Sequence, residues 1–267
     1  MQKAIGIFDS GIGGLTVLKE IAARLPNENT IYLGDTARVP YGIRSPETVT
    51  RYSFENTRFL LSQEIKVLVV ACNTASAVSL DAVKNAFPLP VIGVIEPGAR
   101  AAVRATRSGK IGVIGTEATV ASMAYERAIK NIDPRAHVYS LACPLFVPLV
   151  EEGWIDNDVA ELVATKYLAG LQGQGIDTLV LGCTHYPLLK TVINKVMGPG
   201  VMLIDSATET ARDVEGLLDE LGMRRPGREG VVRRYFVTDT PHRFERIGKL
   251  FLGDDGLKAE QVKVGGV

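Results

Sequence analysis

The sequence is poor in the features that mark secreted, membrane-bound or nucleic-acid-binding proteins. Only three cysteines occur in 267 residues, at 72, 143 and 183, so one must stay unpaired within the chain. A disulfide framework is therefore not expected, and a reducing cytoplasm suits the composition. No C-x-x-C pair occurs anywhere, which argues against a structural metal site. Net charge is missing too: 30 Lys and Arg balance 30 Asp and Glu. The electrostatic footprint of a nucleic-acid binder is thus lacking, as is a polybasic stretch for anionic lipid. Apolar runs such as Val67 to Cys72 and Thr178 to Cys183 are short, against the roughly 18 residues a membrane helix requires. Near the N-terminus, Ala4 to Phe8 is cut off by Asp9, too short for a signal-peptide core. What is present, 46% hydrophobic and 22% charged residues, suits a globular chain of one large or two small domains.

Strand-like and helix-like segments alternate almost from end to end. Compact Val/Ile/Leu runs fall at Ala4 to Phe8, Ile31 to Leu33, Val67 to Ala71, Val91 to Ile95, Ile111 to Gly115, Val138 to Ala142, Thr178 to Leu181 and Val201 to Ile204. Helical patterns lie between them, from Pro46 to Glu64 and Thr74 to Ala86 among others. Continuous apolar runs suit strands covered on both faces, and strands spaced by helices imply parallel sheets with right-handed crossovers. The expected class is α/β. Two segments repeat: Ile5 to Phe8 resembles Ile111 to Ile114, and Leu68 to Thr74 resembles Leu179 to His185, at offsets of 106 and 111 residues. Such an echo predicts two similar doubly wound parallel-sheet units facing each other across a central cleft. The first would comprise residues 1–96 plus the tail 208–267, the second residues 97–207. In the tail, Thr208 to Leu221 and Phe244 to Leu252 read as helix and Arg233 to Thr238 as strand.

In open parallel sheets, ligands bind beyond the carboxyl ends of the strands. Asp9-Ser10, Asp35, Cys72-Asn73-Thr74 and Cys183-Thr184-His185 occupy those places, and all are expected in one cleft. Gly11-Ile12-Gly13-Gly14-Leu15-Thr16 approximates a dinucleotide turn, with Asp35 where a ribose-binding acid would sit. A carboxylate at Asp9 would repel the pyrophosphate, and a plain tight turn is the simpler reading. Cys143, followed by Pro144, has no activating neighbour and reads as a buried apolar side chain. Cys72 and Cys183 each open a helix, whose N-terminal partial charge lowers a thiol pKa. Thr74 and Ser76 are expected to cap the first helix and Pro187 to start the second. A Cys183–His185 nucleophile–base pair, two residues apart on one segment, would have poor geometry and leave the second thiol without a task. His137 and His242 lie away from the strand ends, and Glu151-Glu152 reads as a solvated acidic pair. Arg224, Arg225, Arg228, Arg233 and Arg234 read as a solvated or interface surface. Two opposed thiols suit inversion of a stereocentre bearing an acidic C–H, one removing the proton and the other returning one. Asp9 and His185 could tune them, and Ser10, Asn73, Thr74 and Thr184 could hold carboxylates. No strand end carries the lysine that pyridoxal chemistry needs. A nucleotide-dependent oxidoreductase and a catalytically silent binding protein stay open as alternatives.

Four segments carry a wider likeness: Ile5 to Thr16, Gly34 to Gly42, Ala71 to Ser76 and Leu181 to Leu188, with weaker ones at Gly93 to Gly98 and Asp205 to Ala207. In them the sequence resembles the bacterial glutamate racemases, within the wider aspartate/glutamate racemase family, in order and over essentially the whole chain. The resemblance implies cofactor-independent interconversion of L- and D-glutamate, supplying D-glutamate for peptidoglycan. It implies Cys72 as the base toward the D-enantiomer and Cys183 as the base toward the L-enantiomer. Asp9, Ser10, Tyr41, Gly42, Asn73, Thr74, Thr184 and His185 would contact substrate, and Glu151 would support the second thiol. It further implies a homodimer, which the family forms in more than one arrangement, in some members responsive to a cell-wall precursor. Aspartate or another amino acid is the alternative substrate.

Overall fold

The computed structural model describes residues 3–227, 229–253 and 256–265; Arg228 of the late basic cluster lies outside them. The first series of elements is β1 (Ala4–Asp9), α1 (Leu15–Arg24), β2 (Thr30–Gly34), α2 (Pro46–Ser62), β3 (Ile65–Val70), α3 (Asn73–Ala86), β4 (Val91–Gly93) and α4 (Ile95–Ala105). The second is β5 (Lys110–Gly115), α5 (Glu117–Ala121), α6 (Ala124–Ile132), β6 (His137–Ala142), α7 (Phe146–Glu151), α8 (Asp158–Gln172), β7 (Thr178–Gly182), α9 (Lys190–Met197) and β8 (Met202–Asp205). The tail adds α10 (Ser206–Glu220), β9 (Arg233–Val237), α11 (Pro241–Leu252) and β10 (Glu260–Gln261).

Local chemistry sets several helix starts. Ser45 caps α2 by accepting from Thr48 N at 3.3 Å, with Pro46 in the first turn and Glu47 favouring the positive end. Asn157 caps α8 in the same way through Ala160 N at 2.9 Å. Asp205 caps α10, its Oδ1 accepting from Ala207 N at 2.9 Å, so that helix begins at Ser206 rather than Thr208. The strand expected over Val91 to Ile95 stops at Gly93, because Val94 N turns to the Ser76 hydroxyl and Pro97 enters the first turn of α4.

All strands pair in parallel, in two sheets of order β10-β9-β2-β1-β3-β4 and β6-β5-β7-β8. The block β2-β1-β3-β4 repeats in β6-β5-β7-β8, with β5 in the place of β1 and β7 in that of β3. These are the strands that carry the internal echo. Phe8 pairs with Val70 in one sheet, and Ile114 with Leu181 in the other. Cys72 and Cys183 therefore leave equivalent strands just past their carboxyl ends. β1 and β7 are buried along their whole length, as continuous apolar runs require. The tail strand β9 extends the first sheet by pairing with β2, Thr30 opposite Arg233 through Gly34 opposite Val237.

One apolar cluster joins the two sheets. It runs from Ile5, Leu15 and Leu18 through Val214 and Leu218 of α10 to Phe146, Leu179 and Leu181. Such shared burial fixes the two sheets against each other. Among the described residues, no helix is long and apolar enough to cross a membrane.

Candidate active site

The carboxyl ends of the two sheets enclose a cavity of about 310 Å³, at the small end of the range for ligand sites. Ser10, Tyr41, Gly42, Cys72, Asn73 and Thr74 line it from the first series of elements, and Thr116, Glu117, Glu151, Cys183, Thr184 and His185 from the second. Val39, Pro40, Ile43, Pro144, Val147 and Pro148 supply apolar surface. Among the described residues no lysine or arginine lines that wall, so an anionic ligand would meet hydroxyls, amides and helix N-termini instead.

Cys72 is itself the N-cap of α3: its Sγ accepts from Ala75 N at 3.5 Å. The expected caps do other work. Ser76 donates to Val70 O at 2.8 Å, and the Thr74 hydroxyl stands 2.9 Å from that of Thr116 and 3.3 Å from that of Thr119. The expected lowering of the Cys72 pKa does not occur. Burial, aided by the charge of Asp9, pushes this thiol up to about 12 despite the Ala75 N–H. A helix end acts through one turn, whereas burial removes most of the thiolate's solvent shell.

On the facing wall, Cys183 Sγ lies 3.9 Å from His185 Nδ1. His185 Nε2 is 3.2 Å from Glu151 Oε1, and Glu151 Oε2 accepts from Arg243 Nη2 at 3.1 Å. Burial alone would push His185 down, yet Cys183 and Glu151 together raise it to about 10. Burial likewise opposes ionisation of Glu151, but His185 and Arg243 hold its carboxyl below the ordinary value. The His185 ring meets the edge of Phe251, with centroids 5.6 Å apart. Glu151 thus ends α7 inside a charged chain, not in the solvated loop read for it; Glu152 is exposed.

Asp9 is fully buried and absent from the cavity wall. Its Oδ2 accepts from Gly11 N at 2.9 Å and its Oδ1 faces the Thr184 hydroxyl at 3.5 Å. Burial raises its pKa against the opposing pull of His185 and the backbone N–H groups of Gly11, Gly14 and Ser10. Asp35, expected in the cleft, is buried elsewhere with Arg38, Tyr41 and Thr238. The Tyr41 hydroxyl is engaged by Asp35 and by Asn56 Nδ2, and Gly42 lies against Thr116. Asn73 Oδ1 accepts from Tyr125, while Asn73 Nδ2 is a buried donor without a partner among the described residues.

The glycine turn has a structural purpose. A Cβ at Gly13 would collide with Thr184 Oγ1 and the His185 ring, and Thr16 Oγ1 also reaches Thr184 O at 3.2 Å. The space over this turn, where a pyrophosphate would lie, is filled by the other wall of the cleft. Cys143 is buried, with its pKa pushed to about 12 by that burial. His137 and His242 are exposed. Arg224 pairs with Glu215 and Asp219, and Arg225 binds Asn27 and Asn29. Sequence reasoning missed Thr116, although it follows β5 where Ser10 follows β1. It also missed Tyr125 and Arg243, for which no local signal exists.

Matched parallel sheets closing on one cavity, with a thiol contributed from each sheet's carboxyl end, define an α/β protein with a small-ligand site between its sheets. Residues 5–214 match the model of the Asp/Glu/Hydantoin racemase family, and the chain belongs to that family. It is 62% identical to the glutamate racemase of Geobacter metallireducens, over 94% of this chain and 93% of that one. A glutamate racemase isoform from Bacillus anthracis superposes with TM-score 0.94 at 44% identity, covering 98% of this chain and 97% of the other. The Francisella tularensis glutamate racemase, solved in complex with D-glutamate, superposes with TM-score 0.92 at 40% identity over 98% of both chains.

Proposed function

We propose that this chain interconverts L- and D-glutamate without a cofactor by moving the α-proton between Cys72 and Cys183. The activity is that of a glutamate racemase, an isomerase. One observation carries the mechanism: two thiols leave equivalent strands of matching sheets and line opposite walls of a single cavity. With L-glutamate, Cys183 as thiolate takes the α-proton, so the Cα–H bond breaks as an S–H bond forms. Cys72 as thiol then delivers its own proton to the opposite face, leaving D-glutamate and a Cys72 thiolate. D-Glutamate runs the same steps in reverse.

Each direction needs one thiol as base and the other as acid. Cys72, raised to about 12 by burial and Asp9, is protonated at neutral pH. Cys183 faces a His185 that stays protonated to about pH 10 and can donate to its sulfur. Negative charge developing on the substrate is met by prearranged donors, a favourable electrostatic arrangement. Asn73 Nδ2, without a partner among the described residues, serves the carboxylates with Ser10, Thr74 and Thr184, while Tyr41-Gly42 and Thr184-His185 fit the side chain. Asp9 acts from beneath, through Cys72 and Thr184, and Glu151 supports Cys183 through His185. Residues 1–96 with 208–267, and 97–207, form the two units of a cytoplasmic homodimer's protomer, which supplies D-glutamate for peptidoglycan.

Polarimetry of exhaustively dialysed protein tests this reading. The rotation of either glutamate enantiomer should decay to zero, with kcat/KM for aspartate lower by about 10–200-fold, the worth of one methylene. No decay, decay only with added nucleotide, or an equal rate with aspartate would overturn it.

A further inference from the structure

Tyr125 is not itself among the residues that line the cavity, yet it spans the gap between the two strand ends that carry the thiols. It sits in the first turn of α6 and is 2% exposed. Its hydroxyl donates to Asn73 Oδ1 at 2.7 Å, next in sequence to Cys72. Its ring lies in a slot that a side chain on either of two glycines would fill. A Cβ at Gly182 would meet ring atoms at 3.0 Å, and one at Gly98 would meet the ring and hydroxyl at 3.2 and 3.3 Å. Gly182 ends β7 and immediately precedes Cys183. One aromatic side chain therefore rests on the Cys183 strand end and holds the Cys72 strand end by hydrogen bond.

The hydrogen bond also decides which way the Asn73 amide faces. A carboxamide has an accepting and a donating end, and its orientation follows from the partner that claims one of them. Burial keeps Tyr125 in its neutral, donating form. With Oδ1 claimed by Tyr125, Nδ2 is left as the one buried side-chain polar atom without a partner among the described residues, on a residue of the cavity wall. An unsatisfied buried donor costs about 1–3 kcal/mol, a cost that a bound carboxylate would remove.

We propose that Tyr125 is a positioning residue for substrate binding: it holds the Asn73 carboxamide with Nδ2 presented to a substrate carboxylate. The assignment rests on the reading of Asn73 as a substrate contact. Tyr125→Phe keeps the ring in its slot and removes only the hydroxyl, freeing the amide to turn. The expected result is a KM for each enantiomer raised about tenfold, equivalent to the worth of one hydrogen bond, with kcat changed less than KM. The decisive comparison is a double-mutant cycle. In an Asn73→Ala background, Tyr125→Phe should add no further increase in KM, whereas a purely structural role would give additive losses. Thermal melting of each variant separates instability from weakened binding.

The failures can be told apart. If Asn73→Ala leaves KM unchanged, the substrate-contact reading of Asn73 falls and the proposal with it. If Asn73→Ala raises KM while Tyr125→Phe does not, or if the two effects add, the reading of Asn73 stands and the role given to Tyr125 is wrong.

Discussion

Replacing each thiol singly with alanine leaves one wall of the cavity with a base and the other without. Inversion should then be lost, but exchange of the α-hydrogen with solvent, with retention, should persist on the remaining wall. In deuterated water, the Cys183→Ala protein should exchange D-glutamate and the Cys72→Ala protein L-glutamate. The structure also sets how these exchanges depend on pH. Burial, then Asp9 and last the charge of Cys183 push Cys72 up to about 12; Cys183→Ala removes only the smallest of these. At pH 8 Cys72 is then almost wholly thiol, and only a small fraction is the reactive thiolate. The fraction grows about tenfold per pH unit, so kcat/KM for D-glutamate exchange should rise with a slope near one between about pH 6.5 and 8.5. Proton NMR of the α-position supplies the assay, with chiral chromatography to show retention. Exchange is the right quantity because enantiomers have equal free energy in water. Any variant that still inverts must keep equal kcat/KM in the two directions, which hides asymmetry between the walls. Equal exchange of both enantiomers by both variants, a flat profile for Cys183→Ala, or near-normal inversion by either would refute the two-thiol assignment.

Gly13→Ala should lower stability by about 1–3 kcal/mol in urea titrations, because the new methyl collides with Thr184 and His185. The displacement of His185 should cut kcat by up to about a hundredfold; unchanged values for both would deny the tight contact. His185 is held above its ordinary 6.5, at about 10, so its contribution to stability is complete below about pH 6.5 and fades as pH rises through about 10. Glu151→Gln removes one of the groups responsible, and the drop in melting temperature between about pH 7 and 10 should be smaller than in the unsubstituted protein. An equal or larger drop would show that Glu151 does not hold the imidazolium. Cys143→Ala should keep kcat/KM for L-glutamate within about twofold while costing about 1 kcal/mol for the lost buried atoms. Loss of racemisation in this variant would bring a third thiol into the chemistry.

The chain's pattern of continuous Val/Ile/Leu runs determined parallel strands, since strands buried on both faces need apolar residues at every position. Its internal echo placed Cys72 and Cys183 at equivalent strand ends, and the same echo sets Thr116 opposite Ser10 two residues further on. These features are written in contiguous residues. Local reasoning failed where distant groups decide the outcome. A helix N-terminus argues for an acidic Cys72, but burial and Asp9, 63 positions earlier in the chain, reverse the sign. Glu151 reads as a solvated acid until α7 brings it to His185, 34 residues away, and α11 brings Arg243 to its other oxygen, 92 residues away. Asp35 reads as a cleft carboxylate until the fold surrounds it with Arg38, Tyr41 and Thr238. The difference is physical. Backbone pattern depends on near neighbours, whereas a side chain's protonation and hydrogen-bond partners depend on desolvation and on charges that only tertiary packing brings within a few ångströms.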